Sequence, residues 1–208
     1  MSTRSNIPTG RVGAWLGACL GCCLWMAVLV APTQGASVVV VDAGHGGQDR
    51  GTAWNRLIEK SLTLDVAKRL ETVLKRNGVT TVMTRRTDKT VSLNTRAAIA
   101  NKYRNALLVS VHFNASRITG ISGFETYYAS ERGRKVAYNI QRAMVAKVPG
   151  KSRGIKKYNY AVLMRTKGAA VLVECGFVSN KAEAARCGSA AHRQLIAEAI
   201  ARGILRSR

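Results

Sequence analysis

A chain of 208 residues that is 47% hydrophobic and holds only three Pro is long enough for one well-cored domain. It is too short for two of ordinary size and too apolar to stay disordered. Its 33 Lys and Arg against 11 Asp and Glu set a net charge of +22, an attraction to polyanions that does not choose among nucleic acid, anionic membrane and acidic wall polymer.

Residues 12–31 carry no charge and follow Arg4 and Arg11, the pattern of a membrane-directed leader that leaves the body on the far side of the membrane. Residues 1–36 are therefore expected to be a signal peptide or an uncleaved membrane anchor with a short spacer, with Thr33-Gln34-Gly35 offering small residues for cleavage. Cys19, Cys22 and Cys23 read as small hydrophobes inside that run. All other basic residues lie beyond residue 36, so the charge belongs to the folded part, residues 37–208.

The body alternates short β-branched runs with helical periods. Residues 37–42 are too continuously apolar for a strand with one wet face and read as a buried parallel strand. Leu62, Val66, Leu70, Val73 and Leu74 repeat at helical spacing until Asn77-Gly78, and residues 79–84 follow as a second strand, completing a β-α-β unit. Further elements are expected as a helix over 92–103, strands over 106–112 and 123–128, a helix over 131–147, a strand over 170–175 and a last helix over 190–205. The fold class is α/β, a mostly parallel twisted sheet covered by helices in a single domain. Cys175 and Cys187, the two cysteines of the body, form no disulfide framework, although a single bridge stays open.

In such sheets chemistry gathers at the carboxyl ends of strands. His45 follows the first strand, His112 closes the strand over 106–112 and Glu174 ends Val171-Leu172-Val173-Glu174, so the three are expected on one edge. Two histidines from separate strands joined by a carboxylate suit a zinc site with an open position for water. Glu59, at the start of the long helix, reads equally as the third ligand or as an acid that interacts with the helix dipole.

Val41-Asp42-Ala43-Gly44-His45-Gly46-Gly47, Glu59-Lys60, Thr84-Arg85 with Asp88, Leu93 with Arg96, Ala100-Asn101, Ser110-Val111-His112-Phe113-Asn114-Ala115 and the run from Val171 through Glu174 to Asn180 carry a resemblance. Together, in this order, they resemble the zinc-dependent N-acetylmuramoyl-L-alanine amidases of the amidase-3 type, from Val38 nearly to the C-terminus. The sequence departs from many relatives at Ala170, where they have proline. The resemblance implies that His45, Glu59 and His112 bind zinc and that Glu174 is the catalytic carboxylate. The bond cut would be the amide between N-acetylmuramic acid and L-alanine of the peptidoglycan stem, with Glu174 acting as general base and then general acid. It also places Arg165 near the cleft, as a contact for a substrate carboxylate or as a surface arginine. The chain between Asn114 and Glu174 is too short for the inhibitory helical insertion of some relatives, so a constitutively open enzyme is expected.

Other residues read more plainly. Cys175 is expected to face the core as an inert thiol, His192 to be structural or solvated, and Arg85 with Asp88 to form a structural pair. The basic runs Arg132-Arg134-Lys135 and Lys147-Lys151-Arg153-Lys156-Lys157 are solvated faces or grips for anionic glycan, peptide or lipid. A nucleic-acid-binding protein and a catalytically dead wall-binding module are the rivals from other classes. A zinc peptidase acting within the stem peptide is the rival among enzymes. No nucleic-acid partner is expected. The protein should be an exported monomer of the periplasm or cell envelope, with membrane association through its N-terminal segment.

Overall fold

The computed structural model describes residues 1–2 and 38–208. The chain divides into two units, Met1–Pro32 and Thr33–Arg208, and the architecture below is that of the second. The leader expected over residues 1–36, with Cys19, Cys22 and Cys23, falls outside the described residues save Met1 and Ser2. Among the described residues no helix is long and apolar enough to cross a membrane.

The elements run in the order β1 (Val39–Ala43), β2 (Ala53–Trp54), β3 (Leu57–Ile58), α1 (Glu59–Arg76), β4 (Thr81–Met83), α2 (Leu93–Asn101) and β5 (Leu107–Asn114). They continue with β6 (Phe124–Tyr128), α3 (Glu131–Lys147), β7 (Ser152–Lys157), α4 (Ala161–Met164), β8 (Ala169–Phe177), α5 (Lys181–Gly188) and α6 (Ala190–Leu205). Six strands form one mixed sheet in the order β4-β1-β5-β8-β6-β7. β4, β1, β5 and β8 are mutually parallel, β6 turns antiparallel to β8, and β7 is parallel to β6.

Burial explains the apolar continuity of the central strands. Every residue of β1 is buried, because helices cover both faces. Successive side chains alternate between those faces. Val39, Val41, Val109, Val111, Val171 and Val173 pack into the larger cluster with residues of α1, α3 and α6, where Leu70, Ile140, Ile196 and Ile200 are fully buried. Val40, Leu108 and Leu172 pack on the other face with Ala100 of α2 and Val162 and Leu163 of α4. The same alternation continues to the carboxyl ends, so Asp42, Ser110, His112 and Glu174 emerge on the thinner, α2–α4 face.

The expected helices over 131–147 and 190–205 match α3 and α6, and the strands match within a few residues. Four features were not expected. β2 and β3 form a two-residue hairpin turned by Asn55 and Arg56, both at positive φ, and are too short for any periodicity to register. α4 and α5 are equally brief, although Asn180 caps α5 by accepting from the backbone of Ala182 and Glu183. β7 takes up part of what read as a basic run. It is the outer edge of the sheet, and Arg153, Lys156 and Lys157 suit an edge that must not pair with another chain.

Cys175 and Cys187 are buried free thiols, which settles the open question of a bridge, and Cys175 faces the core as expected. Burial pushes the Cys187 thiol up to about 12. His192 is buried in α6, where burial and then the charge of Arg186 lower its pKa from 6.5. A depressed folded value means that the unfolded chain takes up the proton first as pH falls through 6.5, so stability declines on acidification. His45, whose pKa is raised, acts in the opposite sense over the same range, so the expected outcome is a difference: from about pH 7.5 to about pH 5.5 the urea midpoint of the wild type should fall relative to that of His192→Gln. An equal slope in both proteins would remove His192 from the account.

Candidate metal and catalytic site

The site begins with the backbone that leaves β1. His45 has φ +59°, a left-handed conformation that is uncommon and costly for a residue with a side chain. Two buried arginines hold the chain there. Arg96 of α2 donates to the carbonyls of Ala43 at 2.6 Å and His45 at 2.7 Å. Arg85, just past β4, donates to the carbonyls of Ala43 at 3.0 Å and Gly44 at 2.8 Å, and to Lys60 O and Thr63 Oγ1 at the start of α1. Asp42, 1% exposed, pairs with Arg96 at 2.6 Å and accepts from Thr84 and Ser110 hydroxyls at 2.6 Å each. Arg85 thus serves carbonyls rather than the expected pairing with Asp88. That carboxylate instead takes Lys60 Nζ at 2.6 Å and the Gly47 amide at 2.7 Å.

The held turn presents the His45 ring. Its Nδ1 lies 2.8 Å from Asp49 Oδ2, and Asp49 is itself fixed by the Gly51 amide, so Nε2 points inward. His112, on the neighbouring strand β5, packs so closely over Gly44 that a Cβ there would lie 2.4 Å from its ring. The two imidazoles stand edge to face, centroids 4.8 Å apart. Glu59 opens α1 and reaches between them, its Oε1 3.1 Å from His45 Nε2 and 3.0 Å from His112 Nδ1. Backbone amides of Thr52 and Phe113 secure the two Glu59 oxygens. Gly51 allows this approach, since a Cβ there would meet Glu59 Oε2 at 2.5 Å.

One donor atom from each of His45, Glu59 and His112 lies within 4.8 Å of the others, and the three could hold a metal ion. The electrostatics suit a cation. Burial alone would raise the Glu59 pKa, but hydrogen bonds from His112 and His45 and their charges hold it far below the carboxylate range. Burial opposes charge on His45, yet Glu59 and then Asp49 raise its pKa above 6.5.

Glu174 sits in register with His112 across the parallel β5–β8 pairing, as the strand-end reading anticipated. It is 8% exposed, and its Oε2 is buried without a hydrogen-bond partner. Burial, then the charges of Glu59 and Glu125, push its pKa well up. On its other side the antiparallel register places Glu125 directly opposite. That second carboxylate is fully provided for: Tyr127 OH donates at 2.7 Å, Arg153 Nε at 3.1 Å, and Lys156 Nζ closes on the same oxygen as Arg153. Two adjacent buried carboxylates thus differ sharply, one held as an ion and the other left to gain and lose a proton.

His45, Glu59, His112 and Glu174 all line one open cleft of about 500 Å³, walled by Leu93, by Asn114 and Ala115, and by Tyr160, Ala161 and Val162. Arg165 is not among the lining residues. It caps α4 as an exposed side chain, its carbonyl bound by Asn101 Nδ2. Among the described residues, β6, α3, β7 and α4 are the elements between β5 and β8, the strand that carries Glu174. Sequence reasoning singled out neither Asp49 nor Glu125, and saw Asp42 and Arg96 only as motif letters. An acid four residues after a strand-end histidine was a usable signal for Asp49, whereas Glu125 required the β6–β8 register.

A family model described as N-acetylmuramoyl-L-alanine amidase matches residues 39–206. The uncharacterized protein YqiI of Bacillus subtilis is 36% identical over 177 residues, covering 83% of this chain and 85% of YqiI. The N-acetylmuramoyl-L-alanine amidase LytC of Bacillus subtilis is 34% identical over 166 residues, which cover 78% of this chain but 34% of LytC, so the match spans about a third of that relative. Among solved structures, the N-acetylmuramoyl-L-alanine amidase AmiC2 of Nostoc punctiforme superposes with a TM-score of 0.79 at 35% identity, covering 83% of this chain and 97% of AmiC2.

Removal of the Asp42 carboxylate tests whether the arginine clamp is structural. Asp42→Ala leaves the buried Arg96 charge without its carboxylate and should cost about 3–5 kcal/mol in urea unfolding. A loss below about 1 kcal/mol would show that the carbonyls alone satisfy Arg96.

Proposed function

The chain belongs to the N-acetylmuramoyl-L-alanine amidases, hydrolases of cell-wall peptidoglycan, and we propose that it cuts the amide between N-acetylmuramic acid and L-alanine of the stem with zinc held by His45, Glu59 and His112. One observation carries this reading: two imidazole nitrogens and a carboxylate oxygen converge beside a buried carboxylate whose Oε2 has no partner. The donor set fits zinc, which takes nitrogen and carboxylate ligands with one position left for water, better than calcium or magnesium, which favour oxygen shells. When bound, zinc supplies Lewis acidity and eases deprotonation of water by moving its pKa from about 15.7 to about 7.

The chain's own residues do the rest. Asp49 fixes the His45 ring so that Nε2 faces Glu59 and would be free to bind the metal, and the amides of Thr52 and Phe113 hold Glu59 in place. Glu174, desolvated at the cleft wall, takes a proton from the attacking water and returns it to the alanine nitrogen as the C–N bond breaks. No covalent intermediate with the protein is needed. Among the described residues the segment from β5 to β8 holds no helix besides α3 and α4, which supports activity without a separate activator. The charge-free run after Arg4 and Arg11 supports export to the cell envelope, with the N-terminal segment as leader or tether to the membrane.

Digestion of purified peptidoglycan with and without chelator, followed by mass analysis, tests the assignment. Intact stem peptides released only with zinc are expected, and shortened stems would make the enzyme a peptidase. Glu174→Gln should keep zinc, measured by metal analysis, while losing about 10²–10⁴-fold in turnover. Asp49→Ala should weaken zinc binding about 10–100-fold, and wild-type affinity in that variant would remove its orienting role.

A further inference from the structure

The scissile carbonyl of a muramyl peptide stands three bonds from the sugar ring, through the ether oxygen and the lactyl carbon. A ring tethered so closely must lie against the wall of the cleft whenever the amide reaches Glu174. The α4 side of that wall begins at Tyr160, which borders the cleft directly. Next to it, outside the cleft, lies Tyr158, 55% exposed, its ring centroid 4.5 Å from that of Tyr160 at a tilt of 48°. Tyr158 therefore keeps over half of its surface in water beside the cleft while its ring rests against that of Tyr160.

The pair is also backed by a third ring. Tyr127 is buried behind both rings, edge-on to Tyr160 at 5.1 Å and 89° and to Tyr158 at 6.0 Å and 70°. Its hydroxyl is tied to Glu125 at 2.7 Å. The Tyr158 amide donates to Tyr128 O at 2.9 Å, prolonging the β6–β7 pairing, and the Tyr160 carbonyl accepts from Leu163 and Met164 at the start of α4. A braced aromatic face loses little conformational entropy on binding, and it matches the apolar C–H face of a pyranose while leaving the sugar hydroxyls in water.

We infer that the exposed ring of Tyr158, set against Tyr160 at the border of the cleft, is a sugar-stacking face that holds the N-acetylmuramic acid ring and makes the enzyme discriminate for glycan-linked stems. The inference rests on the amidase reading above and adds a substrate subsite to it. It gives the segment between β7 and α4 a use beyond joining the two elements.

Two substrates separate the subsite from the chemistry. One is the disaccharide of N-acetylglucosamine and N-acetylmuramic acid bearing a stem peptide, and the other is the same stem with a bare lactyl group in place of the sugar. Both contain the scissile amide. The wild type should favour the first. In Tyr158→Ala the ratio of kcat/KM between the two should fall about tenfold, the factor that corresponds to about 1.4 kcal/mol. The fall should come through KM, and Tyr158→Phe, which keeps the ring, should restore most of the ratio. Folding of each variant is checked by far-UV circular dichroism, and Tyr158 is exposed enough for its removal to be tolerated. A wild-type ratio in Tyr158→Ala would overturn the inference, as would a fall seen only in Trp54→Ala, two residues beyond the cleft-lining Thr52. Failure of the wild type to cleave either substrate would instead defeat the amidase reading, and the subsite with it.

Discussion

Two buried cations hold the turn after the first strand. Arg85 and Arg96 reach the carbonyls of Ala43, Gly44 and His45 from different elements, and Asp42 is the carboxylate paired with Arg96. Carbonyls leaving the end of a parallel strand would otherwise need water or a helix to satisfy them. Charged donors do this more strongly than neutral ones, and they can hold His45 at a φ that its side chain disfavours. The position of His45 Nε2, and through it the geometry of the three-donor cluster, depends on that clamp. Because Arg85 also binds Lys60 O and Thr63 Oγ1, the same cation seats the start of α1 and therefore Glu59.

The second constraint is the change of strand direction at β8. Parallel pairing with β5 aligns Glu174 with His112, while antiparallel pairing with β6 aligns it with Glu125. Glu174 is thus flanked in the sheet by the donor cluster on one side and by a second carboxylate on the other. Arg153, Lys156 and Tyr127 satisfy Glu125, so the two acids do not compete for one proton in the way an unsupported pair would. The basic edge strand β7 has two consequences here. Its charges discourage pairing with another chain, and two of them neutralise the acid beside Glu174.

Much of this was legible in the residues. Continuous valines announced the buried β1, helical spacing announced α1, and strand-end placement brought His45, His112 and Glu174 to one edge before any contact was known. The hairpin of β2 and β3, α4 and α5 were not legible, because a few residues generate no period. β7 was not legible because an edge strand carries the composition of a solvated face. Arg85 was read as the partner of Asp88 on sequence proximity, whereas in the fold the guanidinium turns inward to carbonyls that lie some forty positions earlier in the chain.

The sequence by itself determined the fold class, the family and the placement of His45, His112 and Glu174 on one edge of the sheet. Strand and helix periods are local, and the motifs keep their order whatever the packing. Only the tertiary structure decided the Asp49 brace, the arginine clamp, the contrast between Glu174 and Glu125, and the tyrosine face beside the cleft. Apart from the short-range Asp49 brace, these depend on strand register and on side chains that meet across long stretches of chain. Hydrogen-bond supply and burial, which set what each carboxylate can do, exist only once those neighbours are in place.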